Sequence, residues 1–186
     1  MKIFKSILFV VIISAVLMAC APEQTAETPE PIRAEVAFFN EIAERCGDVY
    51  YGESVYPDDP EHALYGAALK MTIESCTETE IRIPFQADEN RSRTWILTLS
   101  DEGLLFKHDH RHEDGTPEDL TNYGGWARQD GSATKMEFPA DDETAEMLPE
   151  AVTNVWSFEI DEVNGQFIYY LERHDLPRYR AVFSLN

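Results

Sequence analysis

The stretch Thr94-Trp95-Ile96-Leu97-Thr98-Leu99, then Ser100-Asp101-Glu102-Gly103, then Leu104-Leu105-Phe106-Lys107-His108-Asp109-His110-Arg111-His112 reads as two strands and the turn between them. Apolar side chains recur at every second position on both arms, the period of a pleated strand that lays one face on a core. Asp101-Glu102-Gly103 supplies turn chemistry, and strands joined by so short a link run antiparallel.

The same pattern continues outward in both directions. Val49-Tyr56, Leu69-Ser75 and Glu80-Phe85 precede the pair, and Tyr123-Arg128, Thr134-Phe138, Val155-Ile160, Gln166-Arg173 and Arg178-Leu185 follow it. Alternation is clear in Ile81-Arg82-Ile83-Pro84-Phe85 and in Trp156-Ser157-Phe158-Glu159-Ile160, while Asp130-Gly131 and Asn164-Gly165 mark further hairpins. Two segments break the period. Arg33 to Arg45 places Val36, Phe39, Ile42 and Ala43 at helical spacing before Cys46-Gly47 ends it. Asp141 to Leu148 opens with acids, as a short helix before Pro149 does. The expected fold is therefore all-β: an antiparallel up-and-down barrel or curved meander sheet, with one N-terminal helix and one short helix before the last strands. Closure removes exposed strand edges. The architecture resembles the lipocalin or calycin class, although no Gly-x-Trp signature stands near the first strand and Pro84 is awkward for a central one.

Residues 1–19 carry Lys2 and Lys5 before the apolar run Ile7 to Val16, the order of a secretory signal peptide. Leu17-Met18-Ala19-Cys20 resembles the bacterial lipobox, which implies cleavage before Cys20 and acylation of that cysteine. Two or three acyl chains anchor durably. Alanine rather than aspartate at position 21 implies, by the same resemblance, sorting to the outer membrane on its periplasmic side. Residues 21–32, with three prolines, three glutamates and almost nothing apolar, form an extended tether reaching roughly 35 Å. Residues 33–186 are then a single β-rich domain of about 150 residues, long enough for a hydrophobic core and expected as a monomer. Cys46 and Cys76 are the remaining cysteines, and an isolated pair in an oxidising compartment is most simply a structural disulfide.

The formal charge is −20, and it becomes more negative when Lys2 and Lys5 leave with the leader. Such a surface argues against nucleic acid or anionic lipid as an electrostatic partner and favours cations, or simply keeps the chain soluble. Three of the five histidines fall at His108, His110 and His112. Period two puts them on the face of Leu104 and Phe106, so an inward Phe106 brings imidazoles into the barrel or its mouth. Zn²⁺ or another divalent metal could take two of them, with His112, Glu113 or Asp114 completing the set and Asp109 fixing the tautomers. The alternative is a strand that leaves the core near residue 107 as a solvated ribbon of alternating charge. A second set, Arg91, Arg93 and Trp95 beside Phe106, offers two guanidinium groups and an indole to an anionic headgroup or carboxylate of a small ligand. Pairing of those arginines with Glu78, Glu80, Asp88 or Glu89 is the competing expectation.

The body also resembles a group of bacterial secreted and lipoprotein sequences of unassigned activity that share segments like Asp88 to Trp95, Lys107 to Pro117, Tyr123-Gly124-Gly125 and Glu137 to Asp141. That likeness implies relatedness and no function. Gly-x-Ser-x-Gly, His-Glu-x-x-His and phosphate-loop signatures are all missing from the sequence. Three functions stay open: a non-catalytic barrel that binds a small ligand or presents an interaction surface, a metal carrier or metal-dependent enzyme on the histidine strand, and a purely structural envelope protein.

Overall fold

The computed structural model describes residues 32–186, so the signal peptide, the lipobox with Cys20 and the tether up to residue 31 lie outside the described residues. Strand periodicity becomes burial directly. In β4 (Glu80–Ala87), Ile81, Ile83 and Phe85 are buried while Arg82, Pro84 and Gln86 lie half-exposed. In β5 (Asn90–Ser100), Trp95 and Leu97 are buried. In β6 (Gly103–His110), Leu104, Phe106 and His108 share the inner face, and Phe106 is fully buried.

Around these run β1 (Val49–Tyr56), β2 (Ala68–Thr72), the two-residue β3 (Ser75–Cys76), β7 (Tyr123–Trp126), β8 (Lys135–Pro139), β9 (Asn154–Asp161), β10 (Gln166–Arg173) and β11 (Leu176–Ser184). Every pairing is antiparallel. The order β7-β6-β5-β4-β2-β1-β11-β10-β9-β8 follows the chain around a ring, with β1 meeting β11. This is an up-and-down meander curled into a nearly closed barrel. A Cβ on Gly52 would lie 2.3 Å from the Val182 carbonyl oxygen, so the β1–β11 contact requires glycine there.

The seam lies between β7 and β8. Arg128 N donates to Glu137 O at 2.8 Å and Asp141 N to Gly124 O at 3.0 Å, and between them Pro139 has no N–H to offer. Helix α2 (Asp142–Met147), capped by Asp141 accepting from Thr144 N, supplies what the strand lacks. The buried Thr144 hydroxyl accepts from Gly124 N at 2.7 Å and donates to Gly124 O at 2.8 Å. Lys107 pairs with Asp141 at 2.8 Å beside it.

Helix α1 (Ala34–Ala43) packs on β5, β6 and β8. Its buried residues are Glu35, Phe38, Phe39 and Ile42, so the face is turned from the expected Val36/Ala43 stripe onto Phe38, whose ring meets Phe138. Arg33 reaches the carbonyl of Ser100 in the β5–β6 turn, and Arg45 pairs with Glu162 in the β9–β10 turn at 3.1 Å. The helix therefore covers that end of the barrel. Cys46 and Cys76 form a disulfide, Cα to Cα 6.2 Å, tying the helix exit to β3. Pro84 is tolerated because it falls opposite the break between β2 and β3, where the ladder on that side is already interrupted. Among the described residues no helix is long and apolar enough to cross a membrane.

Candidate functional site

Antiparallel register sets side chains of β5 and β6 face to face on the inner wall: Leu97 opposite Phe106, Trp95 opposite His108, and Arg93 opposite His110. Going from the α1 end to the other, the wall thus changes from aliphatic and aromatic to polar. At the polar end lies a cavity of about 310 Å³, near the lower bound of about 300 Å³ for small-molecule sites. Phe85, Trp95, Tyr123, Trp156, Tyr169 and Tyr179 form most of its aromatic wall. His62 and Leu64 from the β1–β2 loop, Leu120 from the β6–β7 loop, and Leu148 with Ala151 around the short 3-10 turn Pro149–Ala151 roof it.

The aromatic groups hold one another at fixed angles. Trp95 stacks on Tyr169 at 4.5 Å and on Phe85 at 4.9 Å, and Tyr123 stacks on His108 at 4.4 Å. His108 Nδ1 lies 3.1 Å from the Tyr123 carbonyl and Nε2 lies 2.9 Å from the Tyr169 hydroxyl. A carbonyl can only accept, so Nδ1 carries the proton and Nε2 accepts from the phenol. Burial above all, with the charges of His110 and Arg93 against a stabilising bond to Tyr123, lowers the His108 pKa to about 3. The ring is neutral at physiological pH.

His110 Nε2 lies 3.1 Å from the Tyr123 hydroxyl, and its Nδ1 is 3.8 Å from Glu118. Burial and the Arg93 charge lower its pKa, opposed by Glu118 and Asp109. Burial pushes Tyr123 up to about 12 and raises Tyr169 and Tyr179, so all three phenols keep their protons as donors.

Arg93 is the exception in an otherwise satisfied interior. It lines the cavity, no carboxylate among the described residues lies in ion-pair range of it, and its Nη1 is buried with no hydrogen-bond partner. Leaving a buried donor unpaired costs roughly 1–3 kcal/mol, more for a charged group. The expected pairing of the two arginines with Glu78, Glu80, Asp88 or Glu89 does not form. Arg91 and Arg93 are also parted from each other, because a β-bulge sets Arg91 and Ser92 between the pairs Ala87–Asn90 and Phe85–Arg93. The extra residue turns Arg91 outward, where it is exposed and lines an outer groove with Glu89, His112 and Glu113.

Phe106 points inward, and it brings two imidazoles into the barrel rather than three. The strand ends at His110, Arg111 makes an isolated bridge to Pro117, and His112 with Glu113 sits exposed in the turn that follows. The ligand set His108, His110, His112 and Glu113 is not assembled, and among the described residues no three His, Cys, Asp or Glu side chains converge as a metal site. Both nitrogens of His108 are already bonded. Nor does Asp109 set a tautomer: it faces the other way, paired with Arg111 at 2.8 Å and Arg82 at 3.7 Å.

The roof residues and Tyr123 were not among the expected binding residues, while Tyr169 and Tyr179 belong to the aromatic set expected to pack the core or line a pocket. The tyrosines carried a signal, since each sits on the inward parity of its strand; His62, Leu64, Leu120 and Leu148 lie in loops without a period. No protein-family model matches the chain, and no curated protein matches it.

Proposed function

We propose that this chain is an acylated envelope lipoprotein, anchored through Cys20 on the periplasmic side of the outer membrane, whose barrel binds a small organic ligand without transforming it. The single observation that carries the binding role is the cavity itself: an aromatic-walled recess at one barrel end with Arg93, His110 and tyrosine hydroxyls converging on it. The anchoring role rests on the order of charged, apolar and small residues up to Cys20. A binding role without chemistry suits a site in which both nitrogens of His108 are already bonded and the phenols keep their protons.

Binding is tested by calorimetric titration of the full chain with a neutral flat probe, 2-naphthylmethanol. Saturable one-to-one uptake, abolished in Leu171→Trp because Leu171 lines the cavity and the larger side chain fills it, is the expected result; heat that never saturates, or uptake unchanged in that variant, defeats it. Mass spectrometry of the envelope-isolated chain tests the anchor. Its N-terminus should be an acylated Cys20, and an intact residue 1 or an unmodified sulfur refutes the address.

A further inference from the structure

We infer that the ligand is a small monoanion with a flat apolar body, its acid group seated on Arg93 between His110 and Tyr179 and its body lying against Trp95, Trp156 and Tyr169. This rests on the ligand-binding reading above and deepens it by naming the chemical class.

Charge bookkeeping inside the barrel leads to the sign. Arg93 keeps its positive charge under all ordinary conditions. The other titratable groups lining the cavity do not answer it: His108 and His110 are held neutral, and Tyr123, Tyr169 and Tyr179 hold their protons. Glu150 is the carboxylate in the lining and is exposed, while Glu118, outside the lining, faces His110 at 3.8 Å. His62 stacks on Tyr179 at 5.4 Å, and Arg173, a second guanidinium in the lining, donates to Asn154 at 2.7 Å without losing its charge, so Arg93 is the one of the two with a buried nitrogen left unpaired. Two guanidinium charges against the Glu150 carboxylate leave the lining with one net positive charge, which favours a carboxylate or sulfonate over a doubly charged phosphate. A guanidinium fork receives such a group with two parallel hydrogen bonds.

Cavity shape leads to the body. About 310 Å³ bounded by stacked rings suits a ring compound better than a long acyl chain. The pairing is also a filter. A chain of formal charge −20 repels anions at a distance, so only an anion that also removes apolar area from water gains enough to stay.

Calorimetry of the full chain with three isosteric probes decides the matter: 2-naphthoate, 2-naphthylmethanol and 2-naphthylmethylammonium. The acid is expected to bind about ten- to a hundredfold tighter than the alcohol, with the ammonium weakest. Arg93→Gln should erase that preference and leave alcohol binding in place, while Arg91→Gln should change nothing. Acetate and inorganic phosphate, which lack the flat body, should bind far more weakly than naphthoate, and equal binding of either overturns the ligand class. Equal affinity of the wild-type chain for all three naphthyl probes overturns the anion inference and leaves the ligand-binding reading standing. Binding of none of them removes both. Should Arg93→Gln fail to fold, guanidinium ¹⁵N resonances of the wild-type chain replace it: a naphthoate-induced shift confined to Arg93 supports the site, and a shift elsewhere or none refutes it.

Discussion

Arg93 and His110 stand directly opposite each other on neighbouring strands, a permanent cation beside an imidazole that burial and that same cation keep neutral. Neither partner stabilises the other. A contact of this kind is a local weakness in the empty barrel, and it becomes favourable only when something negative fills it.

The first prediction follows from that weakness. Arg93→Met keeps the length of the side chain's apolar stem and removes a buried donor that has no partner. The ligand-free barrel should gain about 1–2 kcal/mol, which for a domain of this size raises the melting temperature by roughly 2–8 °C. Calorimetric melting checks it, and a variant that melts below the wild type shows that Arg93 is satisfied in solution.

Most of the fold was legible because it rests on local period. Ile81, Ile83 and Phe85 recur at every second position, as do Trp95 and Leu97 and then Leu104 and Phe106, and the register of a hairpin follows from its turn. The site was legible only along those strands. His108, His110 and Arg93 follow from parity, which fails at the next inward position on each strand, Arg91 and His112. A bulge at Arg91–Ser92 and the strand end at His110 each reset the face, and neither leaves a mark in composition. The roof was illegible altogether, since Leu64, Leu120 and Leu148 enter the cavity by loop packing, which is a long-range outcome.

His108 makes stability depend on pH. Its ordinary pKa of 6.5 falls to about 3 in the folded barrel, so between those values the unfolded chain takes up a proton that the folded chain refuses. The stabilising difference is fully present above pH 6.5 and is lost as pH falls through the window, at up to about 1.4 kcal/mol per unit. Urea unfolding at pH about 7.5 and 5.5 should show the wild type losing on the order of 1–2 kcal/mol more than His108→Gln. Equal losses in the two chains rule out a buried neutral imidazole.

Reduction of Cys46–Cys76 releases a loop spanned by a sequence separation of 30. The chain-entropy account assigns about 3–4 kcal/mol to a closure of that length. A Cys46→Ser/Cys76→Ser double variant should unfold at lower denaturant by that amount while its cavity end, remote from the α1 exit, still takes up 2-naphthylmethanol. Loss of uptake in a folded variant would mean that the staple also shapes the cavity.

Thr144 provides the sharpest test of how the ring closes. Its hydroxyl serves both the N–H and the C=O of Gly124, at the place where Pro139 leaves the β7–β8 seam short of donors. Thr144→Val keeps the branched shape, removes the hydroxyl and leaves the buried Gly124 N–H unpaired, while the Gly124 carbonyl keeps its bond from Asp141 N. One such group left unpaired costs about 1–3 kcal/mol, and the loss should fall in that range. The site of the damage matters more than its size. If β7 and β8 close the barrel through this side chain, amide exchange at Gly124, Arg128 and Asp141 accelerates while β4–β5 amides keep their protection relative to global unfolding. Uniform acceleration across the sheet instead means that the seam opens only when the whole barrel unfolds, and that the remaining bonds from Arg128 to Glu137 and from Asp141 to Gly124 are enough to hold it.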